Sequence, residues 1–216
     1  MNLEIKNKIV DLIDSKILLD ESLKKHTTFG VGGTSSIFAY PKDKQDLVKL
    51  LEYTSKENIK IFFIGSGSNL LISDNGFDGV IISLKKSFKN FEINDSLEAN
   101  IGTGVMLGYM VRELTKKSVK GLESLVGVPG TLGGALIMNA GAYGSEISNY
   151  LISIKVLDLD GNEKIYKKED INFSYRFSSI SKTDIVIEAK FKFKKGNLSN
   201  IIKNRSSASQ KRRNNQ

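Results

Sequence analysis

Residues 127–144 read G-V-P-G-T-L-G-G-A-L-I-M-N-A-G-A-Y-G, and this run restricts the fold more than any other part of the chain. It places glycine where an ordinary core would place bulk. Glycine takes positive φ readily and has no Cβ to hold a neighbour away, at an entropic cost that only a turn or a bound group offsets. The run therefore reads as one wall of a cofactor site. A second segment supports it: residues 60–64 form a short apolar β-type run that ends in Gly65-Ser66-Gly67-Ser68-Asn69-Leu70. Consecutive N–H groups of a Gly/Ser turn point into one concavity suited to phosphate, and the Ser66 and Ser68 hydroxyls add donors. Such a turn after a strand also closes plain hairpins, so the pair of loops carries the weight, not either alone.

Composition narrows the class. A chain of 216 residues can bury a real core in one domain or two lobes. Cysteine is absent, which excludes disulfides, thiolate metal sites and cysteine nucleophiles and suits a reducing cytoplasm. No apolar run approaches membrane-spanning length, and the N-terminus alternates charge with apolar residues, so neither a membrane nor an export signal is expected. The net charge is +8, yet no acid follows Glu188, and the body before it is close to neutral. The basicity belongs to the tail. No aromatic residue interleaves with the last of these charges to stack on bases, so no nucleic-acid partner is expected. His26 is the sole histidine, and no metal site is expected.

Along the chain, Ile5, Ile9, Leu12, Ile13 and Ile17 recur at helical spacing and predict an amphipathic first helix. Strands are predicted near 37–40, 60–64, 80–84 and 97–101, with helices over 43–58 and along Leu107, Met110, Val111 and Leu114. Asp160-Gly161 between two β-type runs predicts a hairpin, and Ile185, Ile187, Ala189, Phe191 and Phe193 alternate as a half-buried final strand. The expectation is an α+β fold in two lobes, 1–84 and 85–195, followed by a basic linker over 196–216, with the 65 turn and the 127 run on facing walls of the seam.

Six segments in order carry a resemblance: His26-Thr27-Thr28-Phe29-Gly30, residues 65–71, Gly121-Leu122-Glu123, residues 129–134, residues 138–144 and Ser174-Tyr175-Arg176. Together they resemble the UDP-N-acetylenolpyruvoylglucosamine reductase family, of the FAD-binding superfamily shared with vanillyl-alcohol oxidase (PCMH-type). That resemblance implies a two-lobed FAD-binding fold, noncovalent FAD, NADPH as hydride donor and a UDP-sugar enolpyruvyl ether as substrate in peptidoglycan synthesis. It places Gly65, Ser66, Gly67, Ser68, Asn69, Leu70, Pro129, Gly130, Thr131, Gly133 and Gly134 around the FAD diphosphate. Asn139, Gly141, Tyr143 and Gly144 fall along the flavin side.

The resemblance also marks Arg176 as the catalytic residue. Hydride addition to an enolpyruvyl group builds negative charge beside a carboxylate, and a fixed guanidinium holds that enolate through charge-assisted hydrogen bonds. Lysine lacks the planar fork. Without the resemblance, Arg176 reads as a surface arginine on a loop. His26 and Glu123 are read as structural. The family carries a third, substrate-binding domain after the basic segment, and the expectation is that this chain stops before it, without the proton-donating serine and late glutamate. Feeble or absent turnover is expected, and three origins are open for the missing domain: a broken gene, an incomplete sequence or a separate chain that supplies it. The competing readings are an FAD-dependent small-molecule oxidase of the same superfamily and a noncatalytic nucleotide- or RNA-binding module.

Overall fold

The computed structural model describes residues 1–215. In chain order it contains α1 (Leu3–Leu12), β1 (Lys16–Ser22), β2 (Thr34–Tyr40), α2 (Lys44–Lys56), β3 (Ile61–Ile64), β4 (Phe77–Ser83), β5 (Phe91–Ile93) and β6 (Glu98–Gly102). There follow α3 (Leu107–Lys116), β7 (Val119–Lys120), α4 (Leu132–Ile137), β8 (Gly141–Ala142), β9 (Ser145–Glu146), β10 (Leu151–Leu157) and β11 (Glu163–Lys167). The chain ends in β12 (Phe173–Ser174), β13 (Phe177–Ser178), β14 (Ile185–Lys192), β15 (Lys194–Lys195) and α5 (Leu198–Asn215).

Two sheets organise these elements. The first has the order β1-β2-β4-β3, with β1 antiparallel to β2 and with β2 and β3 both parallel to β4. The turn at 65–70 is therefore no hairpin, as its strand-turn pattern allowed; it leaves the carboxyl end of one parallel strand, where ligands bind in open α/β sheets. The second sheet is antiparallel, in the order β11-β10-β14-β6-β5. Asp158 fixes the β10–β11 turn by accepting from the N–H groups of Asp160 and Asn162, and the Asn162 bond holds its carboxyl below the usual aspartate range.

Apolar periodicity explains the packing. Leu47, Leu50 and Leu51 form the buried stripe of α2, and they share one core with Ile37, Val80 and Ile82 of the first sheet and Leu157, Ile185 and Ile187 of the second. Burying each such side chain contributes about 1.5–3 kcal/mol, so α2 ties the sheets together. Phe38, Ile64 and Ile81 point to the other face of the first sheet, where Leu70 and Ile72 pack on them. The second sheet's core gathers α3 and α4 against Ile101, Ile154 and Phe191.

Two expectations are corrected. The first helix ends at Leu12 instead of running to Ile17, because Ser15 is captured: its hydroxyl donates to Asp46 and accepts from the Lys42 N–H. Ile17 instead pairs with Ala39 across β1 and β2. The basic segment read as a linker is a helix over Leu198–Asn215, with Ile201 and Ala208 buried. Among the described residues no helix is long and apolar enough to cross a membrane.

Candidate cofactor site

The 65–70 turn is built on His26. Its imidazole stacks on Phe38 at 4.0 Å, with Nε2 2.9 Å from Glu21 Oε1 and Nδ1 3.4 Å from the Tyr40 hydroxyl. The His26 bond is the main cause of a Glu21 carboxyl held below the ordinary range, and burial raises the Tyr40 phenol. His26 is thus a buttress, as read. Its carbonyl lies where a Cβ on Gly67 would stand, 1.8 Å away, and Gly67 takes φ +73°; the Thr28 N–H closes the contact by donating to Gly67 O at 3.1 Å. Among the described residues, none accepts from the main-chain N–H groups of Ser66, Gly67, Ser68 or Asn69. The Ser66 hydroxyl donates to Ser68 Oγ at 3.2 Å. Leu70 turns away into the core.

The 129–134 segment arrives from the other sheet. Leu107 N–H donates to Gly130 O and Leu132 N–H to Val105 O, which hold the segment along the start of α3, and Gly133 N–H donates to Thr103 O. Thr131 caps α4, its hydroxyl accepting from Gly134 N–H. The two segments touch. A Cβ on Gly65 would lie 2.6 Å from Thr131 Oγ1, and Ser68 Oγ donates to Pro129 O at 3.3 Å. The N–H groups of Gly130 and Thr131 likewise have no acceptor among the described residues. Unsatisfied donors from both walls thus collect at one junction, an arrangement that suits an anion.

At the far end of α4, roughly 9 Å of helix away, lies a second cluster. Asn139 ends α4 in the left-handed region, φ +39°, and is only 1% exposed. Its Nδ2 donates to Glu146 Oε2 at 2.8 Å and to Ser174 O at 3.1 Å, while its Oδ1 is buried without a partner. Tyr143 and Gly144, at φ +49° and +85°, make the two-residue turn between β8 and β9. A Cβ on Gly141 would meet Glu146 Cγ at 2.8 Å, so the missing side chain there admits Glu146. Arg176 stands exposed at the tip of the β12–β13 hairpin with φ +56°. Left-handed backbone costs a non-glycine residue about 1–2 kcal/mol, and the hairpin is pinned from below: Ser178 Oγ donates to Ile137 O at 2.9 Å. Tyr175, 82% exposed, lies under the Arg176 guanidinium at 5.4 Å.

Sequence reasoning missed Glu146, Ser178 and α5. The hairpin signal was present in Tyr143-Gly144, whose flanking residues bring Glu146 opposite Gly141. The α5 signal was faint: Ile201, Arg205, Ala208 and Arg212 form its inner stripe, and only two are apolar. Arg212 Nε donates to Val126 O at 3.3 Å, and Lys211 Nζ lies 5.7 Å from the centre of the Tyr143 ring. The helix thus borders the glycine run. Glu123, read as a loop fixer, accepts from Gly121 N–H at 2.7 Å.

Comparison with known proteins agrees with this geometry. Residues 35–165 match the family described as FAD binding domain. The chain is 40% identical over 186 residues to UDP-N-acetylenolpyruvoylglucosamine reductase of Clostridioides difficile, covering 86% of this chain and 61% of that protein. Against the enzyme of the same name from Caldanaerobacter subterraneus it is 36% identical, with 94% and 67% covered. The chain thus spans 61 to 67% of the length of these relatives. The crystal structure of UDP-N-acetylenolpyruvylglucosamine reductase from Thermus caldophilus superposes with a TM-score of 0.78 at 28% identity, over 92% of this chain and 69% of that one. Glucooligosaccharide oxidase from Acremonium strictum, 16% identical with a TM-score of 0.65 over 88% of this chain and 42% of that one, shares the fold alone. An α+β chain whose two sheets bring a Gly/Ser turn against a glycine run, with this matched domain and these relatives, belongs to the UDP-N-acetylenolpyruvoylglucosamine reductase family.

Proposed function

We propose that the chain binds FAD noncovalently where the 65–70 turn meets the 129–134 segment. It is the FAD-binding portion of a cytoplasmic reductase that takes hydride from NADPH and delivers it to a UDP-sugar enolpyruvyl ether. The observation that carries this reading is the junction of unpaired N–H groups at Ser66 to Asn69 and at Gly130 and Thr131. These donors would hold the diphosphate, with the Ser66 and Ser68 hydroxyls beside them. When bound, FAD supplies the two-electron carrier between nicotinamide and substrate.

The chain's own residues then bind and orient. Gly134 is exposed, with Thr131 Oγ1 at 3.8 Å the nearest atom to an added Cβ, so a flat group can approach α4 closely. The buried Oδ1 of Asn139 is an acceptor left for a donor that the protein does not provide. Arg176 would hold the substrate carboxylate as charge builds beside it. The proton that completes the reduction has no donor assigned among these residues. We take 1–84 and 85–195 as the two lobes and 196–216 as the basic segment after them.

The test is direct. FAD at a hundredfold over its Kd should stabilise the chain by about 2.7 kcal/mol, visible as a melting shift with retained yellow colour. No shift and no colour after desalting would remove the reading. NADPH consumption that depends on the enolpyruvyl ether in a steady-state assay would support the reductase reading, and flavin reoxidised by oxygen in its place would favour the oxidase.

A further inference from the structure

The Arg176 hairpin is small and strained at its tip, so something must fix its direction. β12 and β13 contribute two residue pairs, Phe173 with Ser178 and Ser174 with Phe177. Tyr175, Arg176 and Phe177 are all exposed and bury little to hold the tip. Ser179 and Asn172 close the base, each main-chain N–H donating to the other residue, to Asn172 O and to Ser179 Oγ. The arms nearer the tip are held from beneath: the Asn139 amide donates to the Ser174 carbonyl on one, and the Ser178 hydroxyl donates to the Ile137 carbonyl on the other. Asn139 is itself oriented by Glu146, whose approach requires a glycine at 141. One amide therefore links the glycine run, the β8–β9 hairpin and the Arg176 turn.

We propose that Asn139, oriented by Glu146, is the positioning residue for Arg176. This rests on the reading of Arg176 as the group that holds the substrate carboxylate, and it assigns Asn139 to the hairpin as much as to the flavin. A residue wanted only to end α4 in the left-handed region would serve equally well as glycine. Asparagine adds the donor that Ser174 accepts.

Trypsin tests this, because Arg176 is itself a cleavage site in an exposed turn. Cleavage after Arg176 is followed by mass spectrometry in the native chain, with cleavage after exposed Lys182 as the internal reference. Asn139→Asp and Asn139→Gly should each raise the Arg176-to-Lys182 rate ratio at least tenfold. An unchanged ratio in both would overturn the proposal. The double variant Asn139→Asp/Glu146→Gln separates positioning from plain stability. It restores the side-chain pair with donor and acceptor exchanged, yet offers nothing to Ser174 O. Its melting temperature should return toward the parent's while Arg176 stays fast to cleave; recovery of both would reduce Asn139 to a structural residue. Should Asn139→Asp fail to fold, Asn139→Gly keeps the left-handed backbone and gives the first comparison. FAD melting shifts on the same proteins keep the two readings apart: no shift in the parent strikes the cofactor assignment, and an unmoved cleavage ratio strikes the positioning role.

Discussion

The two glycine-bearing walls differ in how far protein fills the place of the missing side chain. In the 65–70 turn the space is already taken by protein: His26 O lies 1.8 Å from a Cβ on Gly67, and Thr131 Oγ1 lies 2.6 Å from one on Gly65. In the 127–144 run the space is mixed: a Cβ on Gly141 would meet Glu146 Cγ at 2.8 Å and one on Gly133 would meet Thr103 Cβ at 3.2 Å, whereas Gly134 has its nearest atom at 3.8 Å and Gly144 has nothing within 4 Å. The first wall is glycine-rich so that the protein can close on itself. The second closes on protein at Gly133 and Gly141 and stays open at Gly134 and Gly144, where something else can come near. A glycine motif read as cofactor-binding thus contains residues that shape the site from behind and residues that face it, and only the surroundings tell them apart.

Gly67→Ala should break this comparison most severely. The clash is with a carbonyl, which cannot rotate away as a side chain can, and φ +73° adds strain. A loss of about 4 kcal/mol or more places it in the exceptional class of substitutions; the urea midpoint would report it, with the FAD shift lost alongside. A near-parent midpoint would mean that the turn is not anchored to His26.

Gly134→Ala should divide binding from stability. Alanine inside α4 favours the helix by roughly 0.5–1 kcal/mol over glycine, and the added methyl makes only an ordinary contact, with Thr131 Oγ1 at 3.8 Å. The melting temperature should rise slightly while FAD affinity falls at least about tenfold, or 1.4 kcal/mol. Unchanged affinity in a flavin titration would move the cofactor off this face of α4. Gly144→Ala supplies the control for Gly67. Both have positive φ, but only Gly67 has backbone in the way. The expected cost is about 1 kcal/mol, a drop of about 2–4 °C for a chain of this size. A loss as large as that at Gly67 would show that strain, not packing, dominates both sites.

Much of this was legible beforehand. The 3.6 period located α2 and α3 and alternation located β14, whereas β2, β3, β4, β6 and β10 were found as short apolar runs beside turn signals, the first three because their sheet is packed on both faces. The two loops were found because glycine is scarce in ordinary strands and helices. What stayed hidden depends on partners distant in sequence. Ser15 ends the first helix through Asp46, and Asn139 reaches Ser174 across 35 positions. The inner stripe of α5 uses arginine stems, which bury methylenes while showing charge to any hydropathy scale. Helix α4 was masked because Gly133-Gly134 lowers its propensity, although the Thr131 cap announces it.

The smallest expected effect probes the buttress behind the first wall. Glu21 is depressed chiefly by its bond to His26, with Lys25 adding to it. A carboxyl lowered on folding contributes stability that is present above its unfolded pKa, about 4.3, and is lost as pH falls through the folded value. Glu21→Gln removes that contribution at neutral pH and has nothing further to lose in acid. The urea midpoints of parent and variant should therefore differ at pH 6 and converge as the pH falls below about 4. Other lowered carboxyls, such as Glu98 beside Lys190 and Lys192, give both proteins the same background slope. Because His26 carries the turn through its carbonyl, Glu21→Gln should also weaken FAD binding modestly, where a substitution at Glu98 should not. Equal effects of the two on FAD affinity would detach the buttress from the site and leave the first wall resting on Thr131 and Pro129 alone.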